Sequence, residues 1–251
     1  MLTRTSAVLA FLAVLAVSAL RPALAVVTSD SATILSGMGE FRAFIGSGNW
    51  KAVVEGDYKG EWADHYDITL KLGAVGTLWH SDQWALKAGA AVWREFGALH
   101  EGESDPAAGG KIDWWGPLSR GETLLSADLT PRYKLSEGWV AELRARYLFG
   151  FLGSRSTLAL RPGITRSWTD SGGNPSVSVY VQGETFFGLG YRNTQPFEIW
   201  GYAGGLFALG SDVLMGPSVS FRHATWDGGG SPKATLNQVL FGLSAILYWE
   251  P

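Results

Sequence analysis

The chain has 251 residues, a formal net charge of −3, no cysteine, 33 glycines and 12 tryptophans. Its mild acidity argues against nucleic acid as a partner, because nucleic-acid binding calls for a basic stripe of lysine and arginine. Without cysteine, an exported protein of this size has no disulfides and depends on its sheet, on oligomerisation or on a membrane for stability.

The N-terminal segment has the pattern of an export signal. Arg4 supplies a positive charge, residues 7–20 form an apolar run, and residues 23–25 give the small-residue cleavage site Ala-Leu-Ala. The apolar run is shorter than the about 20 residues that a membrane-spanning helix needs, which favours cleavage over an uncleaved anchor. We predict a signal peptide over residues 1–25 and a β-barrel domain over residues 26–251, with barrel strands at about 39–249.

The first part of this domain leads into a regular alternation. Residues 26–36 have no firm period and are predicted to be a polar lead, and residues 39–45 are predicted to be a short strand. After a Gly-Ser-Gly-Asn turn, apolar residues occupy every second position from Trp50 to Trp62, with charged residues between them. Because successive strand side chains point to opposite faces, this stretch predicts one strand with an apolar face and a charged face.

The same pattern recurs to the end of the chain. Further strands are predicted at 66–78, 84–95, 123–133, 139–151, 156–168, 176–187, 197–209, 212–225 and 235–249. Pro131, Pro162 and Pro217 fall inside three of them and are interpreted as bulges or strand ends, because proline cannot donate to a strand ladder. The long break over Gly97–Gly121, which could hold one short strand, is typical of a functional loop. The count is ten to twelve strands, and an even number, twelve or ten, is expected.

These features resemble the outer-membrane β-barrel proteins of diderm bacteria. The resemblance is carried by the signal peptide, the long alternating strands, their aromatic ends and a last strand that finishes in Tyr248 and Trp249. It implies an all-β, transmembrane, antiparallel up-and-down barrel in the outer membrane. It also implies contact with outer-membrane lipid and with the barrel-assembly machinery, and we expect a monomer.

The predicted inward faces carry acids and bases in nearly equal number. A charge-selective pore would favour one sign, whereas a filled interior would favour paired charges. Inward aromatic residues could form a stacking path for a sugar or simply pack the lumen. The residues predicted to line the lumen are Lys51, Glu55, Asp57, Lys59, Lys71, Glu142, Arg144, Arg146, Trp93 and Trp200.

No catalytic motif stands out in the sequence. His223 and Thr225 have same-face spacing, but no third partner is evident, and there is no phosphate loop, zinc spacing or dinucleotide fingerprint. We therefore assign no catalytic residue, metal or cofactor, and expect no enzyme activity. The sequence favours a narrow channel for small polar solutes or oligosaccharides. The alternatives are a closed structural or interaction barrel that acts through its loops and, after it, a lipid-modifying barrel enzyme.

Overall fold

The structure is a computed structural model that describes residues 24–27, 31–60, 66–97, 123–150, 156–173, 175–189, 196–226 and 234–250. No helix in these ranges is long and apolar enough to cross a membrane. The strands are β1 (Leu24–Val27), β2 (Ser31–Ile45), β3 (Trp50–Gly60), β4 (Tyr66–His80), β5 (Trp84–Gly97), β6 (Thr123–Ser136), β7 (Trp139–Gly150), β8 (Ser156–Thr169), β9 (Pro175–Leu189), β10 (Pro196–Ala208), β11 (Val213–Trp226) and β12 (Ala234–Trp249).

Strands β2 to β12 close into one barrel. From β3 to β12, each strand pairs antiparallel with the next one along the chain. Strand β2 completes the ring, because it pairs antiparallel with β3 on one side and parallel with β12 on the other. Strand β1 pairs with the first part of β2, where β3 does not reach. The predicted all-β, up-and-down barrel is confirmed, with one parallel closure.

The number of strands corrects the expectation of an even count. Within the described residues the barrel has eleven strands, inside the predicted range of ten to twelve but odd. In an up-and-down barrel an odd number makes the first and last strands run in the same direction. The β2–β12 pair meets this requirement with a parallel register that runs without a shift from Ser31 and Thr235 to Ile45 and Trp249. The short strand expected within Gly97–Gly121 lies outside the described residues.

The start of the domain also differs from expectation. Residues 31–36 belong to β2, which spans 15 residues, and are not a polar lead. Their types give only a weak alternation, although Thr33 is exposed and Ile34 is buried. Strand β1 begins with Leu24 and Ala25, the last residues of the predicted signal peptide, and residues 1–23 lie outside the described part of the chain.

The three prolines do not mark bulges or strand ends. Pro131, Pro162 and Pro217 each pair in continuous register with a leucine of one neighbouring strand: Leu86, Leu143 and Leu243, respectively. Towards the other neighbouring strand the pairing lapses beside each proline and then resumes in the same register. A proline lacks the N–H that this pairing would use, so the ladder loses bonds locally while the strand continues.

The two faces of the barrel wall differ in chemistry. The outward face presents large, exposed apolar side chains around the ring: Leu70, Leu72, Val92, Leu125, Leu129, Leu143, Val179, Val181, Ile199, Phe221 and Phe241. The inward face carries most of the charged and polar side chains of the strands, and several of them are buried, among them Lys71, Arg146 and Glu184. This is the alternation that the sequence predicts, with the polar face turned to the interior.

The two ends of the barrel also differ. We call the end with the connections after β2, β4, β6, β8 and β10 the turn end, and the opposite end the loop end. Aromatic side chains cluster outward at the turn end: Trp50, Trp79, Trp84, Tyr133, Trp139, Trp168 and Trp249. A register shift before Trp79 pairs it with outward-facing Leu86, so Trp79 does not face the lumen as its parity in the sequence suggests. Arg166 lies 5.5 Å and 5.2 Å from the ring centroids of Trp139 and Trp168 within this group.

Candidate functional site

The half of the barrel interior nearer the loop end is filled by a packed layer. We define this layer by its buried apolar residues, Met38, Leu148, Ala159, Phe186, Trp200 and Leu240, which form one cluster. Trp93 and Tyr202 pack against it. Leu240 and Ala159 have no solvent-exposed surface and Leu148 only 2%. Since these residues come from β2, β7, β8, β9, β10 and β12, side chains from different parts of the ring pack together at this level.

Buried charges surround the packed layer and are paired with one another. Glu198 lies 3.0 Å from Arg222 and accepts a hydrogen bond from the indole N–H of Trp200. Glu184 lies between two arginines, with Arg146 at 3.7 Å and Arg161 at 4.0 Å. A buried charge without a partner costs several kcal/mol, so this pairing is a condition for the interior to be filled.

Cations in this region also lie over aromatic rings. The guanidinium carbon of Arg146 is 4.6 Å from the ring centroid of Trp93, and that of Arg222 is 5.2 Å from Trp200. The ammonium of Lys59 lies 5.0 Å from the same Trp200 ring. Such contacts contribute about 2 kcal/mol or more where the cation is desolvated. The inward aromatic residues are therefore part of the ionic packing of the interior.

A ladder of charges crosses the strands next to the closure of the ring. Arg42 on β2, Glu55 on β3 and Lys71 on β4 are direct register partners. Glu55 lies 2.5 Å from Arg42 and accepts a hydrogen bond from Lys71 at 2.9 Å. A second cross-strand pair, Arg132 on β6 and Glu142 on β7, has a separation of 3.0 Å.

The half of the interior nearer the turn end contains a cavity, which we call the vestibule. It has a volume of about 440 Å³. Its lining runs from exposed Gly48 and Asn49 in the β2–β3 turn to Asp57 and Tyr202 in the middle of the barrel. The vestibule therefore opens at the turn end. Its lining includes both acids and bases: Glu40, Glu55, Asp57, Asp128, Glu142, Arg42, Lys51, Lys87, Arg132, Arg144 and Arg161.

The ten residues predicted to line the lumen divide between these two regions. Lys51, Glu55, Asp57, Glu142 and Arg144 line the vestibule. The other five lie at the packed layer, where they pair or stack with one another and with Glu184 or Glu55: Lys59, Lys71, Trp93, Arg146 and Trp200. Five of the predicted residues therefore belong to the paired groups at the packed layer, and the other five belong to the lining of the vestibule.

The predicted set omits the two charged vestibule residues of β2, Glu40 and Arg42. Glu40 accepts a hydrogen bond from Ser244 at 3.0 Å, and Arg42 forms the ion pair with Glu55. The sequence does contain a pattern that could have identified them, because Glu40 and Arg42 alternate with apolar Phe41 and Ala43. That alternation covers only a few residues. The length of β2 becomes evident only from its pairing with β12.

The structure places His223, the histidine with a same-face hydroxyl in the sequence, on the outer wall. His223 faces outward and its Nδ1 lies 2.8 Å from the amide oxygen of Asn237, its cross-strand neighbour. The described His, Asp and Glu residues contain no group of three that could hold a metal ion. Comparisons of the sequence with protein-family models and with curated proteins find no match.

Proposed function

We propose that this chain is an outer-membrane β-barrel protein with a closed lumen and a vestibule that faces the periplasm. Two features of the outer wall support the membrane location. The outward faces of strands 11–16 residues long carry exposed apolar residues such as Leu72, Leu129 and Val181. Strands of about 9–11 residues suffice to span a bilayer. The ring of tryptophans at the turn end corresponds to an aromatic girdle at a membrane interface.

The orientation follows from the connections. Barrels of this class place short turns in the periplasm and longer loops outside the cell. The turn end has connections such as Gly46–Asn49 and Glu137–Gly138, whereas the loop-end connections include residues 98–122. These lengths support an orientation in which the turn end, and with it the mouth of the vestibule, faces the periplasm.

The observation that carries the closed lumen is the packed layer. Leu148 and Leu240 are almost wholly buried, and the charges beside them are paired across the interior. Passage of a solute would require this layer to be displaced, and with it the Glu184 and Glu198 ion pairs. The channel that the sequence favours is therefore the second candidate, and the vestibule would be one half of its path.

Single-channel recording in a planar bilayer tests the proposal. We expect no stable conductance from the wild-type protein. A double variant, Leu148→Gly with Trp200→Gly, removes two of the large side chains of the layer and should produce conductance steps. Such steps would also show that the variant has inserted into the bilayer. Ohmic steps from the wild-type protein that change with Arg144→Glu would support the channel instead. Recovery of the protein in a soluble fraction without detergent would contradict the membrane location.

A further inference from the structure

One cation of the vestibule, Arg144 on β7, has no carboxylate within 4.0 Å among the residues that the structure describes. Every other inward guanidinium group that the structure describes lies within 4.0 Å of a carboxylate: Arg42, Arg132, Arg146, Arg161 and Arg222. No carboxylate of the described residues lies this close to Arg144. Its Nε is buried without a hydrogen bond, as is that of the other five arginines. The arginine is half-buried in the wall of the cavity.

The strand register increases the cost of this charge. Arg144 lies directly opposite Arg161 in the β7–β8 pair, and like charges at directly opposed positions destabilise a sheet. Arg146 and Arg42 also act on Arg144 by repulsion, which the carboxylate of Glu55 offsets in part. An anion that binds in the cavity beside the guanidinium of Arg144 would reduce this repulsion and stabilise the protein.

We propose that the vestibule binds a small organic anion, whose carboxylate or phosphate group is held by Arg144. A guanidinium offers paired N–H donors that match either group in a two-bond geometry. Arg161 and Arg132 are already engaged by Glu184 and Glu142, so Arg144 is the guanidinium that remains available. The ammonium of Lys87, which also lines the vestibule, adds a second positive charge to the lining.

The size and chemistry of the cavity limit the rest of the ligand. A volume of about 440 Å³ lies within the range of small-molecule sites, which is about 300–1,000 Å³. The wall also presents hydroxyl groups of Thr130, Thr165, Ser167 and Tyr180. These groups suit a polar, hydroxylated body of about monosaccharide size better than an acyl chain.

Calorimetric titration of the full protein, folded in detergent, tests this site. The probes are glucose 6-phosphate and glucuronate, which carry the two anionic groups on similar bodies, and glucose as the uncharged control. We expect saturable binding of at least one of the two anions and none of glucose. The anion that binds more tightly identifies the group that Arg144 prefers.

Two variants distinguish this site from general attraction to a positive surface. Arg144→Gln should weaken anion binding at least tenfold. Lys51→Gln, at the mouth of the vestibule and paired with Glu250, should change it less than twofold. Thermal melts supply a second measurement: the bound anion should raise the Tm of the wild-type protein but not that of Arg144→Gln, which should itself melt no lower than wild type.

The proposal is overturned if neither anion binds the wild-type protein, or if Arg144→Gln binds as well as wild type. These measurements are made in detergent solution and do not depend on conductance or cellular location. The anion site and the closed-barrel proposal can therefore fail separately.

Discussion

Arg42 and Glu55 face each other directly across the antiparallel pair of β2 and β3, with 2.5 Å between Nε and Oε1. Glu55 also accepts a hydrogen bond from Lys71 on the next strand. One carboxylate therefore pairs with two cations, and the three groups lie on the successive strands β2, β3 and β4. Because the side chain of Lys71 is only 9% exposed, its charge cannot be transferred to water if Glu55 is lost.

Replacement of Glu55 by Gln should consequently destabilise the barrel. Removing one member of a buried ion pair leaves the other charge uncompensated, which costs about 3–5 kcal/mol. The measurement is urea unfolding of the protein in lipid vesicles. Glu250→Gln is the matched control, since Glu250 pairs with Lys51 at the exposed mouth and an exposed pair contributes less than about 1 kcal/mol. An equal decrease in the free energy of unfolding in the two variants would refute the role given to Glu55.

Neighbouring residues on β7 test the assignment of inner and outer faces. Leu143 faces outward and is 44% exposed, whereas Arg144 faces the vestibule. If the outer face contacts lipid, Leu143→Arg places a charge in the membrane at a cost of about 2–4 kcal/mol, and less folded protein should reach the outer membrane. Arg144→Leu removes a charge that has no counter-ion, so assembly should remain close to wild type. The yield of folded protein in membrane fractions measures both, and equal loss would contradict a lipid-facing outer wall.

The packed layer predicts a difference between two leucines of the same strand. Leu148 is 2% exposed and lies in the layer, so Leu148→Ala should leave a cavity and reduce the free energy of unfolding by about 2–5 kcal/mol. Leu143→Ala should have a much smaller effect, because solvent or lipid fills the space on the outer wall. Unfolding in vesicles compares the two. A loss in Leu148→Ala no greater than in Leu143→Ala would mean that the layer is not packed in the membrane-inserted protein.

The sequence predicts the wall of this barrel better than its closure. Alternation identifies the strands that contain Trp50 and Trp139, because a strand with one apolar face must show a period of two. It does not identify the first part of β2, where small residues such as Ala32, Ser36 and Gly37 give little contrast between faces. That segment is held by its pairing with β12, about two hundred residues away.

The interior shows the same division. Parity alone indicates that Glu55, Arg144 and Arg146 share the inner face, and the structure brings them towards one interior. Which of them are paired depends on the registers of neighbouring strands and on side chains that reach across the barrel. Arg146 forms an ion pair with Glu184 on β9, whereas Arg144 lies opposite Arg161 in the register of β7 and β8. The alternation of a single strand does not show which side chains of other strands lie near each arginine. The folded barrel is therefore needed to tell a paired arginine from an unpaired one.

The last prediction is that the barrel does not cleave lipids, although His223 faces the outer wall near a hydroxyl group. The imidazole of His223 is engaged by Asn237, and Thr225 lies two residues along the same strand, a separation of about 6.8 Å along the backbone. A hydroxyl nucleophile needs a base within about 3 Å and a third group to orient that base. The carboxylates of the neighbouring region, Glu198 and Glu184, face the interior and are paired with arginines there, so the wall separates them from His223.

Purified protein in mixed micelles should therefore leave the acyl chains of phospholipid and lipopolysaccharide intact, with or without calcium. Acyl release by the wild-type protein that disappears in His223→Ala would show that the outer wall carries a catalytic site after all.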